Sequence, residues 1–147
     1  MTKPTSAPRP AIVTTAFWLV LAGSVLLLAG GLLGLSSAIG TPRSAFSAEL
    51  SDSEVSSIVT MRGGISALLL LTGLVLSFLA GRARNGDLRF RRAVVWLSVV
   101  LVALVFVLAL LAPFAIAPLA LFGVVPVAIG ATLFMRPAAS DWFLEVG

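Results

Sequence analysis

Four long runs of apolar residues, separated by short polar stretches, dominate the chain. The runs cover residues 11–35, 63–80, 93–112 and 119–135, and none of them contains Asp, Glu, Lys, Arg or His. A helix needs about 20 consecutive apolar residues to cross a bilayer, so each run is a candidate span. The pattern predicts an all-α fold: a transmembrane four-helix bundle of two antiparallel helix hairpins, in a single membrane domain over residues 1–147.

The polar stretches form two tails and two loops. Residues 1–10 are polar and proline-rich, which predicts a disordered tail. Residues 36–61 form the first loop, residues 81–92 the second loop, and residues 137–147 the last tail. The uncharged connection between the third and fourth spans, bracketed by Pro113 and Pro118, is expected to be tight. Trp142, Phe143 and Leu144 in the last tail are expected at the membrane interface.

A local signal marks the start of the second helix. In the sequence LSDSEV, Ser51 and Glu54 fit the S-x-x-E capping box, and Leu50 and Val55 occupy the positions of a hydrophobic staple. The second helix is therefore expected to begin at about Asp52. At ~1.5 Å per residue its first turns should stand outside the bilayer.

The second loop, GRARNGDLRFRR, contains five arginines and one aspartate. Asn85 and Gly86 predict a turn, and Asp87 is expected to cap the third helix. Nucleic-acid binding is not expected, because the loop has only Phe90 for stacking on bases. Its position beside two spans favours contact with anionic lipid headgroups. The candidate headgroup contacts in this loop are Arg82, Arg84, Arg89, Arg91 and Arg92.

The spans divide the charges of the chain into two groups. The net charge of +4 comes from ten basic and six acidic residues. The two tails, the second loop and the adjacent Arg136 hold eight of the basic residues, whereas the first loop and its boundary hold only Arg43 and Arg62. Short loops rich in Lys and Arg stay in the cytoplasm. The charge bias therefore predicts cytoplasmic termini (N-in, C-in), a cytoplasmic second loop and an extracytoplasmic first loop.

Arg62 stands where the second helix is expected to enter the membrane, and two glycines follow it. In one interpretation its guanidinium reaches lipid phosphate or pairs with Glu49, Asp52 or Glu54. In the other, Arg62 belongs to an anion or headgroup site in an outward-facing cleft, to which the glycines give access. The sequence leaves both interpretations open.

Glycines and a proline mark candidate packing positions inside the spans. Gly23, Gly30 and Gly34 share one face of the first helix, and the last two form a GxxxG pair. Such a face packs within the protein's own bundle, against a second copy or against a partner helix. Pro126 lies inside the fourth span and predicts a kink near Phe122. Such a kink is expected either to fit the helix to its neighbours or to act as a hinge for transport.

Residue types that commonly carry chemistry are missing. The chain has no Cys and no His, which excludes disulfides, thiol catalysis and histidine ligands for haem. Spans without ionisable residues lack the usual groups of proton relays and ion pathways. The hydroxyl side chains in the spans have no visible activating base. Glu49, Asp52 and Glu54 would hold a cation only weakly, so we expect no metal site. Taken with the missing residue types, this predicts no catalytic residues and no cofactor, and the chain is not expected to be an enzyme.

Three features together resemble uncharacterised small four-span bacterial inner-membrane proteins. They are the short first loop, the sequence MRGG at residues 61–64 at the mouth of the second helix, and the basic second loop. The resemblance covers most of the chain. It implies the four-helix fold and a multi-pass location in the bacterial inner (plasma) membrane, and it implies no activity because none is assigned to that family.

These observations predict a small, non-catalytic integral membrane protein. The first expectation is an accessory or scaffolding subunit that packs, through its glycine faces, against a larger membrane complex or against itself. The alternative is a lipid- or small-hydrophobe-binding protein or carrier with a cleft near Arg62 and the Pro126 kink. An exposed glycine-lined face would favour the first, and a lipid-sized cavity would favour the second. The expected partners are membrane lipids and another membrane protein, not nucleic acid.

Overall fold

The computed structural model describes residues 9–111 and 118–146, and within these ranges the chain is all-helical. The elements are α1 (Ala11–Gly40), a 3₁₀-helix (Arg43–Ala45), α2 (Asp52–Ala83), α3 (Leu88–Leu111), α4 (Pro118–Met135) and α5 (Pro137–Val146). By length and composition α1 to α4 are apolar enough to cross a membrane, which confirms the prediction of four long apolar helices. Most of the predicted tail of residues 1–10, and the third connection with Pro113, lie outside the described residues.

α1 packs extensively against both α2 and α4, and small residues bring α4 close to it. Gly23 lies against Gly123 and Val127, and Gly30 lies against Ala120, so residue numbers rise along α1 as they fall along α4. A methyl group at Gly23 would lie 2.5 Å from Val127 Cγ2 and 2.6 Å from the carbonyl oxygen of Gly123. Glycine is therefore required here, because any side chain would push the two backbones apart.

α2 packs on another side of α1, again at small residues. Gly31 of α1 lies against Ser66 and Leu70, and Gly73 of α2 lies against Ser24, so residue numbers again run in opposite senses. α3 contacts α2 and α4 and lies across the bundle from α1. The four long helices therefore form a ring in which α1 makes the closest contacts.

The three glycines expected to share one face contact two different neighbours. Gly23 and Gly30 lie against α4, whereas Gly34 lies against the side chain of Ser66 in α2. Ala120, which lies against Gly30, is in the first turn of α4, whereas Gly34 one turn further along α1 meets α2. The GxxxG pair is thus divided between two interfaces of one chain.

α2 begins at Asp52, as predicted, and the capping box closes its first turn. Ser51 Oγ accepts a hydrogen bond from the backbone N–H of Glu54 at 3.3 Å, and Glu54 Oε2 accepts one from the backbone N–H of Ser51 at 2.7 Å. Glu54 precedes the apolar span of residues 63–80 and is exposed. Hydrogen bonds from the hydroxyl and then the backbone of Ser51 lower the pKa of Glu54.

Arg43 holds the first loop together. Its Nε donates to Asp52 Oδ1 at 3.0 Å, its Nη1 donates to the carbonyl oxygen of Ser47 at 3.3 Å, and its Nη2 donates to the carbonyl oxygen of Leu50. Asp52, one of the carboxylates considered as a partner for Arg62, is therefore paired with Arg43.

The second loop contains the predicted turn and cap. Gly86 adopts φ 93°, a left-handed conformation that glycine reaches without strain. Asp87 Oδ1 accepts a hydrogen bond from the backbone N–H of Arg89 at 2.9 Å. This bond satisfies one of the free N–H groups at the start of α3.

The last residues form the helix α5, and its aromatic side chains are buried in the protein. Trp142 and Phe143 are buried, and the ring centroids of Phe143 and Phe134 are 6.2 Å apart. Two local signals could have predicted this helix. Ala139, Trp142 and Phe143 have i, i+3, i+4 spacing, and Pro137 suits the first position of a helix.

Candidate functional site

Contacts between distant parts of the sequence bring most of the arginines to one end of the bundle. Arg84 lies 4.8 Å from the ring centroid of Phe17 in α1, and Arg9 lies 5.9 Å from that of Trp142 in α5. The start of α1, the second loop and the end of α4 with α5 therefore meet. We call this region the arginine end; it contains Arg9, Arg82, Arg84, Arg89, Arg91, Arg92 and Arg136.

Arg91 joins α3, α4 and α5 at this end. Its Nε donates to the carbonyl oxygen of Phe134 at 2.9 Å, and its Nη1 donates to Ser140 Oγ at 3.3 Å. Its guanidinium also lies 5.3 Å from the ring centroid of Phe143. Carbonyl groups in the last turn of a helix lack intrahelical partners, so Arg91 satisfies one for α4. Arg91 therefore has an internal role that the charge pattern did not predict.

Arg82 and Arg84 lie over aromatic rings. The guanidinium of Arg82 is 5.6 Å from the ring centroid of Phe78 and 5.9 Å from that of Phe90. Such cation–π contacts contribute about 0.5–1 kcal/mol at exposed sites. Phe78 and Arg82 are one helical turn apart, a spacing that could have been recognised in the sequence. The contact of Arg84 with Phe17 could not, because it depends on how α1 packs.

Three arginines of the arginine end keep exposed guanidinium groups: Arg89, Arg92 and Arg136. In the part of the chain that the structure describes, none of these side chains has a hydrogen bond or an ion pair. These three groups are consequently available to an anion outside the protein.

Arg62 lies far from the arginine end, where the adjacent Gly63 faces Ala38 of α1. Its side chain is half-buried and has no hydrogen bond or ion pair among the described residues. A cavity of about 370 Å³ lies nearby along the chain, lined by Leu50, Ser53, Glu54, Ser57 and Ile58. Arg62 does not line that cavity, so the outward cleft at Arg62 stays a prediction.

An apolar groove of about 450 Å³ lies between α3 and α4, and we call it the α3–α4 groove. It is lined by Ser98, Val99, Val102, Ala103 and Phe106 of α3 and by Ala128, Ala131, Thr132 and Met135 of α4. Its two polar side chains bond inside their own helices. Ser98 Oγ donates to the carbonyl oxygen of Val94, and Thr132 Oγ1 to that of Ile129, both at 2.7 Å. The groove therefore presents hydrocarbon to whatever enters it.

The groove forms where α3, which has no glycine, meets α4. α1 and α4 approach at glycines, but α3 meets α4 through side chains and packs less extensively. The small side chains of Ala103, Ala128 and Ala131 leave the intervening space unfilled. Phe106 and Met135 at its border are 64% and 60% exposed, so the groove lies on the outer surface of the bundle.

Pro126 lies in α4 shortly before the groove residue Ala128, and α4 continues on both sides of it. Because proline has no backbone N–H, the carbonyl of Phe122 loses its usual intrahelical partner. The kink expected there stays a prediction.

The groove leads towards the arginine end. Because Arg91 joins the start of α3 to the end of α4, the Met135 side of the groove lies at that end. Arg92 precedes Val99 by seven residues, a spacing that returns to the same face of a helix. Arg136 directly follows Met135. Two guanidinium groups that have no partner among the described residues therefore stand beyond one end of an apolar groove.

Other hydroxyl groups in the spans, such as those of Ser24 and Ser77, bond to their own helices. Ser24 Oγ donates to the carbonyl oxygen of Val20 at 2.7 Å, and Ser77 Oγ to that of Gly73 at 2.9 Å. No group of three His, Cys, Asp or Glu side chains converges within residues 9–111 and 118–146.

Comparison with protein-family models, with curated proteins and with solved structures finds no match for this chain.

Proposed function

We propose that this chain is a non-catalytic membrane protein that holds a hydrophobic chain, such as a lipid acyl chain, in the α3–α4 groove. The observation that carries the proposal is the groove itself. Its volume of about 450 Å³ lies within the range of ligand pockets, roughly 300–1,000 Å³. Because Ser98 and Thr132 bond within their own helices, the occupant meets almost no polar group.

The packing of the glycines favours this function over a scaffold that docks through glycine faces. Gly23 and Gly30 are buried against α4 of the same chain and Gly34 lies against α2, so these glycines already pack inside the bundle. An accessory subunit is the second candidate, supported by the exposed outer face of α3. On that face Trp96 is 70% exposed.

We infer further that the bundle consists of two antiparallel hairpins with both termini and the arginine end in the cytoplasm of a bacterial cell. Support for the hairpins comes from the contacts of α1, along which residue numbers run opposite to those of α2 and α4. Support for the orientation comes from charge. The arginine end and its tails hold eight basic and three acidic residues, against two basic and three acidic residues in the first loop.

The absence of catalysis is also part of the proposal. Hydroxyl groups such as those of Ser24 and Ser98 donate to backbone carbonyls one turn earlier, not to a side chain that would activate them. Asp52 and Glu54 are engaged by Arg43 and Ser51. We therefore propose that the chain binds a ligand and does not catalyse a reaction.

Filling the groove tests the proposal. The double variant Ala103→Leu/Ala128→Leu adds bulk inside the groove, and Ala22→Leu makes one such replacement at an exposed position of α1. After purification in mild detergent, native mass spectrometry counts the lipid or other hydrophobe bound per chain. We expect the wild type and Ala22→Leu to retain about one molecule, the number the single groove holds, and the double variant to lose most of it. Equal retention in the double variant and the control would contradict the proposal.

A further inference from the structure

We propose that the occupant of the α3–α4 groove is a phospholipid with an anionic headgroup, its acyl chain in the groove and its phosphate between Arg92 and Arg136. This inference rests on the proposed function and names its ligand. It joins two features: an apolar groove with satisfied polar groups, and two guanidinium groups beyond one end of it that have no hydrogen bond or ion pair among the described residues.

The register of α3 connects the two features. Arg92, Val99 and Phe106 are seven residues apart in turn, so they follow one another along one face of the helix. Each step of seven residues covers about 10 Å along the axis. A molecule that lies along this face passes from a cation to a continuous apolar surface, as a phospholipid does from headgroup to acyl chain.

The end of α4 supplies the second cation. Met135 borders the groove, and Arg136 directly follows it with an exposed side chain. The contact of Arg91 with the carbonyl oxygen of Phe134 holds the start of α3 beside the end of α4. Arg92, near the start of α3, and Arg136, directly after α4, therefore stand beyond the same end of the groove.

The neighbouring charged groups leave these two arginines to bind an anion. Arg91 is engaged by Phe134 and Ser140, and Asp87 accepts the backbone N–H of Arg89. The ion pair seen among the described residues joins Arg43 to Asp52 in the first loop, far from this end. A phosphate would therefore complement a positive charge that the described part of the chain leaves unbalanced.

The experiment compares two lipids that differ only in headgroup. Wild type and variants are purified in mild detergent and exchanged into an equal mixture of phosphatidylglycerol and phosphatidylcholine with the same acyl chains. Native mass spectrometry then gives the ratio of the two lipids bound per chain. Arg92→Gln and Arg136→Gln test the proposal, and Arg62→Gln, which removes the same charge far from the groove, is the matched control.

We expect the wild type to prefer phosphatidylglycerol. Each of Arg92→Gln and Arg136→Gln should lower the ratio about fivefold, the factor that corresponds to the ~1 kcal/mol of a basic residue at an anionic surface. Arg62→Gln should leave the ratio unchanged. A thermal unfolding curve for each variant separates a lost contact from a lost fold, since both arginines are exposed and their replacement should not unfold the bundle.

Failure of this inference differs from failure of the proposed function. If groove filling by Ala103→Leu/Ala128→Leu lowers retention of both lipids but the ratio is one, or does not respond to either arginine, the groove binds an acyl chain without the headgroup contact. That result overturns the inference and leaves the proposed function standing. If neither lipid is retained by the wild type, both fail.

Discussion

At the scale of single residues, glycines of the same chain differ in what a methyl group would meet. At Gly23 it would meet Val127 and the carbonyl oxygen of Gly123, whereas at Gly64 no atom lies within 4 Å. Gly23 therefore determines how closely α1 and α4 pack, whereas Gly64 has space for a side chain.

This difference predicts opposite results for the same substitution. Gly23→Ala should destabilise the bundle by about 1–3 kcal/mol, as overpacking does. Gly64→Ala should be neutral or slightly stabilising, because alanine favours helix by up to ~1 kcal/mol over glycine. Unfolding with SDS in mixed micelles measures both. Equal stability of the two variants would show that α1 and α4 do not meet at Gly23.

Arg91 shows a residue-scale effect that charge patterns cannot reveal. Within the run Arg91–Arg92 the two side chains are alike in the sequence, but only Arg91 bonds to Phe134 and Ser140. Adjacent helical residues point about 100° apart, so one guanidinium reaches the end of α4 and the other does not. Chemical identity alone therefore did not distinguish the structural arginine from the free one.

At the scale of elements, the start of α2 is defined by its own sequence. Ser51 and Glu54 exchange the two hydrogen bonds of the capping box. The hydroxyl of Ser51, which donates to Glu54 Oε2, and the backbone N–H of Ser51 lower the pKa of Glu54. These two bonds therefore stabilise the helix start above the ordinary pKa of a glutamate and are lost as the pH falls through the lowered value.

Ser51→Ala should fray the first turn of α2. Loss of an N-cap side chain costs about 1 kcal/mol, so the backbone amide of Glu54 should exchange with solvent several-fold faster at neutral pH. Ser56→Ala, at an exposed position in the same helix, is the control. Since protonation of Glu54 weakens the wild-type box as well, the difference should shrink below a pH of about 4.3. Unchanged exchange at Glu54 would mean that the cap does not hold the helix start.

α3 differs from its neighbours in composition, and this difference creates the groove. It has valine, leucine and alanine along its length but no glycine. Bulky side chains keep α3 away from α4, and Ala103 leaves part of the space between them open. The lack of glycine in α3 is evident from the sequence. The position of the α3–α4 groove is not, because it depends on which residues of α4 lie opposite α3.

At the scale of the whole molecule, the arrangement of charge supports one orientation in the membrane. The regions that carry eight of the ten basic residues include the start of α1, the second loop and the end of α4, which meet at the arginine end. Short basic segments remain in the cytoplasm. In the proposed orientation the first loop lies outside the cell.

Cysteine labelling tests this orientation directly, because the chain has no cysteine of its own. Asn85→Cys and Ser47→Cys each place one thiol at an exposed position of the second and first loops. In intact spheroplasts a membrane-impermeant maleimide should label Ser47→Cys at once and Asn85→Cys only after permeabilisation. Labelling of Asn85→Cys from outside would reverse the proposed topology.

The sequence by itself determined the features that depend on neighbouring residues. Apolar runs predicted the four long helices, the capping box placed the start of α2 at Asp52, and Asn85 with Gly86 marked the turn before α3. These features follow from backbone hydrogen bonding and hydrophobic periodicity, which act over a few residues.

Only the tertiary structure decided which helices the glycines of α1 meet, which arginine is engaged, and where the groove lies. The partners of Gly34, Arg91 and Arg84 are Ser66, Phe134 and Phe17, each more than thirty residues away in the chain. Such contacts depend on the relative placement of whole helices. A local pattern states that a residue is small, charged or apolar, but packing determines which distant residue it faces.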